Sequence, residues 1–100
     1  MRTPLRRTVV WLRRHFPAKK PVMVRVCKSL PGMHGVCLLH EERAIIKICK
    51  ATEQMMAETL LEEWAHLLRD ECPIPHVEGD EHDALFWAIL AAITKEYRGE

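Results

Sequence analysis

Between Thr52 and Pro73 neither glycine nor proline interrupts the chain, and apolar side chains recur at Met56, Leu60, Leu61, Trp64, Leu67 and Leu68. That helical period predicts a long amphipathic helix over about Glu53 to Asp70, with Thr52 as N-cap and Pro73 as the stop. The remaining elements must be arranged around a rod of this length.

Upstream the pattern changes twice. Thr3 and Pro4 form an N-cap and first-turn pair, Leu5, Val9 and Leu12 give an apolar stripe widened by Val10 and Trp11, and Pro17 closes the segment, predicting a helix to about His15. After Pro21, VMVRVCK alternates and is rich in valine, which predicts a strand separating Val22, Val24 and Leu30 from Met23, Arg25 and Lys28. SLPGMHG supplies Pro31, Gly32 and Gly35 for turns. Val36 to His40 and Arg43 to Lys50 predict a hairpin through Glu41 and Glu42, with Ala44, Ile46 and Ile48 on one face and Ile45, Lys47 and Cys49 on the other.

CPIPHVEGDE reads as a loop. A last helix is expected from Glu81 or His82 to Tyr97, capped by Asp80 and followed by Gly99. Its stripe is Leu85, Ala88, Ile89, Ala92 and Ile93, with Phe86 and Trp87 adding bulk. The order helix, three strands, helix, helix predicts an α+β fold with a small mixed or antiparallel sheet. A chain of 100 residues, 48% of them apolar, buries one modest core, so residues 1–100 are expected to form a single domain.

A net charge of +1 gives no global preference for nucleic acid, an anionic membrane or an acidic substrate. The basic N-terminal portion, with Arg2, Arg6, Arg7, Arg13, Arg14, Lys19 and Lys20 and no carboxylate, is the one local candidate for contact with a polyanion. Cys27, Cys37, Cys49 and Cys72 form no CxxC pair, and no signal peptide precedes them, so they are expected to be reduced core thiols of a cytoplasmic protein. The apolar run Ala84 to Ile93 is too short to span a bilayer.

Chemistry concentrates in TLLEEWAH, residues 59–66. Glu62 and His66 stand one helical turn apart and project from the same face, so both reach one metal ion, while the neighbouring Glu63 can approach a water on that ion. A carboxylate and two imidazoles form an ordinary zinc donor set, and the third donor must come from beyond this helix. His82 is the leading candidate, returned beside His66 by the proline-rich loop, and His76 is its rival. In a catalytic site the metal would acidify water and polarise a carbonyl, with Glu63 as general base. The competing reading takes Glu58, Glu62, His66 and Asp70 as a solvated polar stripe.

ETLLEEWAHLL and DEHDALFWAILAAITKEYR resemble the active-site helix and the following histidine-bearing segment of small zincin-type metallopeptidases, especially SprT-like and phage-associated ones. The strands ending in AIIKICK fit the small sheet before that helix, and the likeness covers roughly residues 20–98. The resemblance implies a minimal zincin-like fold, peptide or protein substrates, and Glu62, His66 and His82 as metal ligands with Glu63 as catalytic base. Glu62 departs from the family pattern, which has histidine there. It is an adapted ligand, an inactivating change, or part of a site for manganese or iron instead of zinc. The alternative function is a catalytically inactive structural or interaction module whose basic N-terminal portion approaches nucleic acid or a protein partner. Trp64 and Trp87 are expected to pack the site helices, Tyr97 to anchor the C-terminal end, and His34 and His40 to make structural hydrogen bonds.

Overall fold

A computed structural model describes residues 4–76 and 79–99. Helix α1 spans Pro4–His15, strands β1, β2 and β3 span Val22–Cys27, Gly35–Leu39 and Ala44–Cys49, and helices α2 and α3 span Glu53–Glu71 and Ala84–Gly99. This is the expected α+β arrangement of an N-terminal helix, a three-stranded sheet and two further helices. The expected Thr3 cap lies outside the described residues.

The Thr52 hydroxyl accepts from the Met55 backbone N–H at 3.2 Å, so α2 starts where its sequence signal stands. β1 ends at Cys27, short of Leu30, because the Leu30 carbonyl accepts from the Met33 N–H at 3.2 Å in a turn with Pro31 and Gly32 at its centre. Gly32 has φ +71°, a conformation open to glycine at no steric cost.

The sheet is mixed, in the order β1-β3-β2. β3 lies centrally, antiparallel to β2 through the expected hairpin and parallel to β1. Ala44, Ile46 and Ile48 are fully buried, as the alternation required. Ile46 and Ile48 meet Leu60, Leu61, Trp64 and Ala65 of α2, and Leu5, Val9 and Leu12 of α1 join the same core with Phe86 and Ile93 of α3. Each such side chain removed from water contributes about 1.5–3 kcal/mol before entropy is set against it. Trp64 keeps its polar atom satisfied, its indole N–H donating to the Phe16 carbonyl at 2.8 Å. The Glu71 carboxylate accepts from the backbone N–H groups of Lys19 and Lys20 at 2.9 and 3.3 Å, tying the loop after α1 to the end of α2.

The last helix departs from expectation. Asp83, not Asp80, caps it: Asp83 Oδ1 accepts from the Phe86 N–H at 2.9 Å, and Asp80 instead accepts from the His82 N–H at 3.0 Å. His82 therefore precedes the helix, and Gly99 is its last residue. The helix is also rotated from the expected stripe, for Phe86 and Ile93 are buried while Ala88 and Ala92 face water. Thr8 and Tyr97 fix that rotation through a 2.9 Å hydroxyl–hydroxyl bond, and Trp11 packs edge-on against the Tyr97 ring. Tyr97 is thus the anchor expected of it. Trp87 stands 54% exposed and packs with one side only, its ring edge-on to Phe86 at 5.2 Å and tilted against His82 at 5.8 Å between centroids. The cysteines are free thiols, half-buried and not in the core proper. Among the described residues no helix is long and apolar enough to cross a membrane.

Candidate metal centre

Helix α2 supplies most of the site. Its apolar side is held by the sheet and the other two helices, which leaves Glu62, Glu63, His66 and Asp70 along an open cavity of about 790 Å³. Thr59 belongs to the same wall, and β2 contributes Gly35, Val36, Cys37 and Leu39 opposite it. Gly35 is not a turn residue. A Cβ there would stand 2.5 Å from Thr59 Cγ2 and 3.3 Å from Glu63 Cγ, so the missing side chain is what lets β2 approach α2 beside Glu63.

The third side of the site comes from the loop between α2 and α3, and a buried ion pair shapes that loop. Arg69 lies on the buried stripe of α2 and is 1% exposed. Its Nε donates to Asp83 Oδ1 at 3.0 Å and its Nη2 to Asp83 Oδ2 at 2.7 Å. The remaining donors reach the Ile74 carbonyl at 2.8 Å and the Pro75 carbonyl at 2.9 Å. One guanidinium thus holds both arms of the loop while Asp83 also caps α3, and His82, next to Asp83, is delivered beside His66. Neither Arg69 nor Asp83 was among the sequence-derived site residues. Their signals were an arginine eight positions after Leu61 on the apolar stripe, and an aspartate three before Phe86.

The result is a compact donor set: one ligand atom each from Glu62, His66 and His82 lies within 4.8 Å of the others. The His66 and His82 rings are 4.7 Å apart between centroids, and buried Phe86 packs against both, at 4.3 and 4.7 Å. His76 lines the cavity but does not belong to the donor cluster. His34 also lines it, whereas the backbone carbonyl of His40 accepts from Lys20 Nζ at 2.9 Å. Lys20 and Arg13, from the basic N-terminal portion, both donate to internal carbonyls, Arg13 to that of Val22 at 2.7 Å.

Electrostatics suit a cation. Burial, and then the neighbouring His82, hold the His66 pKa below its ordinary value, against the opposing pull of Glu62 and Glu81. His66 is therefore kept as the neutral imidazole that a metal requires. Burial, and then the charge of Glu62, raise the Glu63 carboxyl from 4.5 to about 7. Burial also pushes the Cys37 thiol up to about 12, with Glu63 and Asp70 adding to the rise. A carboxylate and two imidazoles at this spacing, one imidazole held neutral, fit a divalent ion with nitrogen and oxygen preference. Comparison with protein-family models, curated proteins and solved structures finds no match to this chain.

Proposed function

We propose that the chain, acting as one domain, is a minimal zincin-type metallopeptidase in which Glu62, His66 and His82 hold zinc and Glu63 is the general base. The observation that carries this reading is the convergence of those three donors on the wall of an open cavity, with a half-buried carboxylate alongside. A divalent ion in that set supplies Lewis acidity, lowering the pKa of water and polarising a peptide carbonyl.

The protein's own groups do the rest. Glu63, with its proton affinity raised to neutral range, accepts a proton from the attacking water and returns it to the departing amine. Phe86 packs on the His82 imidazole, Asp80 holds the His82 backbone N–H, and β2, an edge strand lining the cavity, offers unpaired backbone groups to an extended peptide. Glu62 adds negative charge where histidine would not, which moderates the Lewis acidity of the ion.

Cleavage of an unstructured peptide by zinc-loaded protein tests the proposal against Glu63→Gln. The expected loss is on the order of 10²- to 10⁴-fold, the usual contribution of general acid–base catalysis. Equal residual activity in both proteins rejects Glu63 as the base, and zinc binding without cleavage by either supports the inactive-module reading.

A further inference from the structure

Strands β1 and β3 carry the same short pattern, VRVCK from Val24 and IKICK from Ile46, and the fold lays the two side by side in register. Arg25 pairs with Lys47 and Cys27 with Cys49 across parallel strands. The ladder continues past them, with the Lys50 N–H donating to the Cys27 carbonyl at 2.8 Å. Because Ile46 and Ile48 are buried on the α2 side, alternation sends Lys47 and Cys49 to the opposite face, and the register sends Arg25 and Cys27 there too. Both thiols are free and half-buried. Cys37 cannot join them, since it pairs with Ile46 and points to the cavity side of the sheet.

We infer that Cys27 and Cys49 form a dithiol site that exchanges with small anionic disulfides and closes into a cross-strand disulfide. Neighbouring strands lie about 4.8 Å apart, inside the roughly 4.4–6.8 Å range of Cα separations that disulfides span. Register partners on one face therefore fall within that Cα range, and closure needs their Cβ atoms to draw in to about 3.5–4.5 Å, a small adjustment at the ends of the two strands. The cations of the pattern, Arg25 and Lys47 before the cysteines and Lys28 and Lys50 after them, select a negatively charged reagent, and neither pattern contains a carboxylate.

With oxidised glutathione as the probe, the thiolate of one cysteine attacks a sulfur of the reagent and expels one glutathione thiolate, leaving a mixed disulfide. The second cysteine, as thiolate, attacks the protein-side sulfur and expels the other. Two protein thiols are oxidised, one reagent disulfide is reduced to two thiols, and the two thiol protons end on the released glutathione.

The full chain is equilibrated with oxidised and reduced glutathione, alkylated with N-ethylmaleimide, digested with trypsin and mapped by mass spectrometry. The expected product is a linked pair of peptides, Val26–Lys28 with Ile48–Lys50, while Cys37 and Cys72 carry the alkyl group. Cys27→Ser and Cys49→Ser should each trap one stable mixed disulfide on the remaining partner. Separate glutathione adducts on Cys27 and Cys49 in the native chain, or linkage of either to Cys37 or Cys72, overturn the inference. An Arg25→Gln, Lys47→Gln variant should react several-fold more slowly with oxidised glutathione but not with neutral hydroxyethyl disulfide, and an equal slowing with both reagents rejects the role of charge.

Discussion

The guanidinium of Arg69 meets the carboxylate of Asp83 through two faces of the same fork, Nη2 to Oδ2 at 2.7 Å and Nε to both oxygens at 3.0 and 3.1 Å, with both side chains almost wholly buried. That pair joins α2 to the start of α3 and sets the position of the intervening His82. Breaking such a buried pair by removing one partner is the costly case. Arg69→Lys supplies a point charge that cannot fork onto Asp83 and the Ile74 and Pro75 carbonyls together. Zinc affinity is expected to fall about 10- to 100-fold in Arg69→Lys and in Asp83→Asn, the range for groups that orient ligands. Competition titration against a chromogenic chelator measures it, and the folded fraction is checked by circular dichroism.

Close approach of β2 to α2 gives a second expectation. Gly35→Ala places a methyl 2.5 Å from Thr59 Cγ2 and 3.2 Å from the Lys47 carbonyl. Overpacking of this kind costs about 1–3 kcal/mol. Adding Thr59→Ser removes the nearest atom and should recover part of the loss. Urea unfolding of the single and double variants measures both terms.

Stability of the metal-free protein should depend on pH through two groups acting in opposite senses. The folded-state Glu63 carboxyl titrates at about 7 against an ordinary 4.5, so as pH rises between those values the unfolded chain releases its proton first and stability is lost. His66 has a lowered pKa, so its contribution is present at neutral pH and is lost as pH falls below the ordinary 6.5. Glu63→Gln isolates the first effect. Its melting temperature relative to the native chain should climb from pH 4.5 to about 7 and then level off, as thermal scans at fixed ionic strength can follow.

Replacing Glu62 by histidine restores a third imidazole and removes the second cause of the raised Glu63 pKa. Tighter zinc binding is expected, together with a Glu63 titration moved toward lower pH. Isothermal titration calorimetry reads the affinity, and the shift of the Glu63 titration is read from the pH dependence of the metal-free variant's melting temperature.

Legibility in the sequence followed the distance over which each feature is decided. Thr52 and the alternation at Ala44, Ile46 and Ile48 are local signals, and the structure uses them as they stand. The partner of β1 was not legible, since parallel pairing with β3 joins segments that no turn connects directly. In α3 the run from Ala84 to Ile93 is apolar on every side, so periodicity could not orient it, and contacts of Asp83, Phe86 and Tyr97 decide which face is buried. Trp87 went to water for that reason. Glu62, His66 and His82 were legible as donor types, but Arg69, which ties the loop carrying His82 to α2, was not read as part of the site.

The donor triad is tested most directly by metal content. Protein purified without chelator and analysed by inductively coupled plasma mass spectrometry should hold close to one equivalent of zinc or a similar divalent ion, and His66→Ala and His82→Ala should each lose it while remaining folded. A native chain that stays metal-free after incubation with zinc, manganese or iron, or one whose bound metal survives both replacements, would contradict the site.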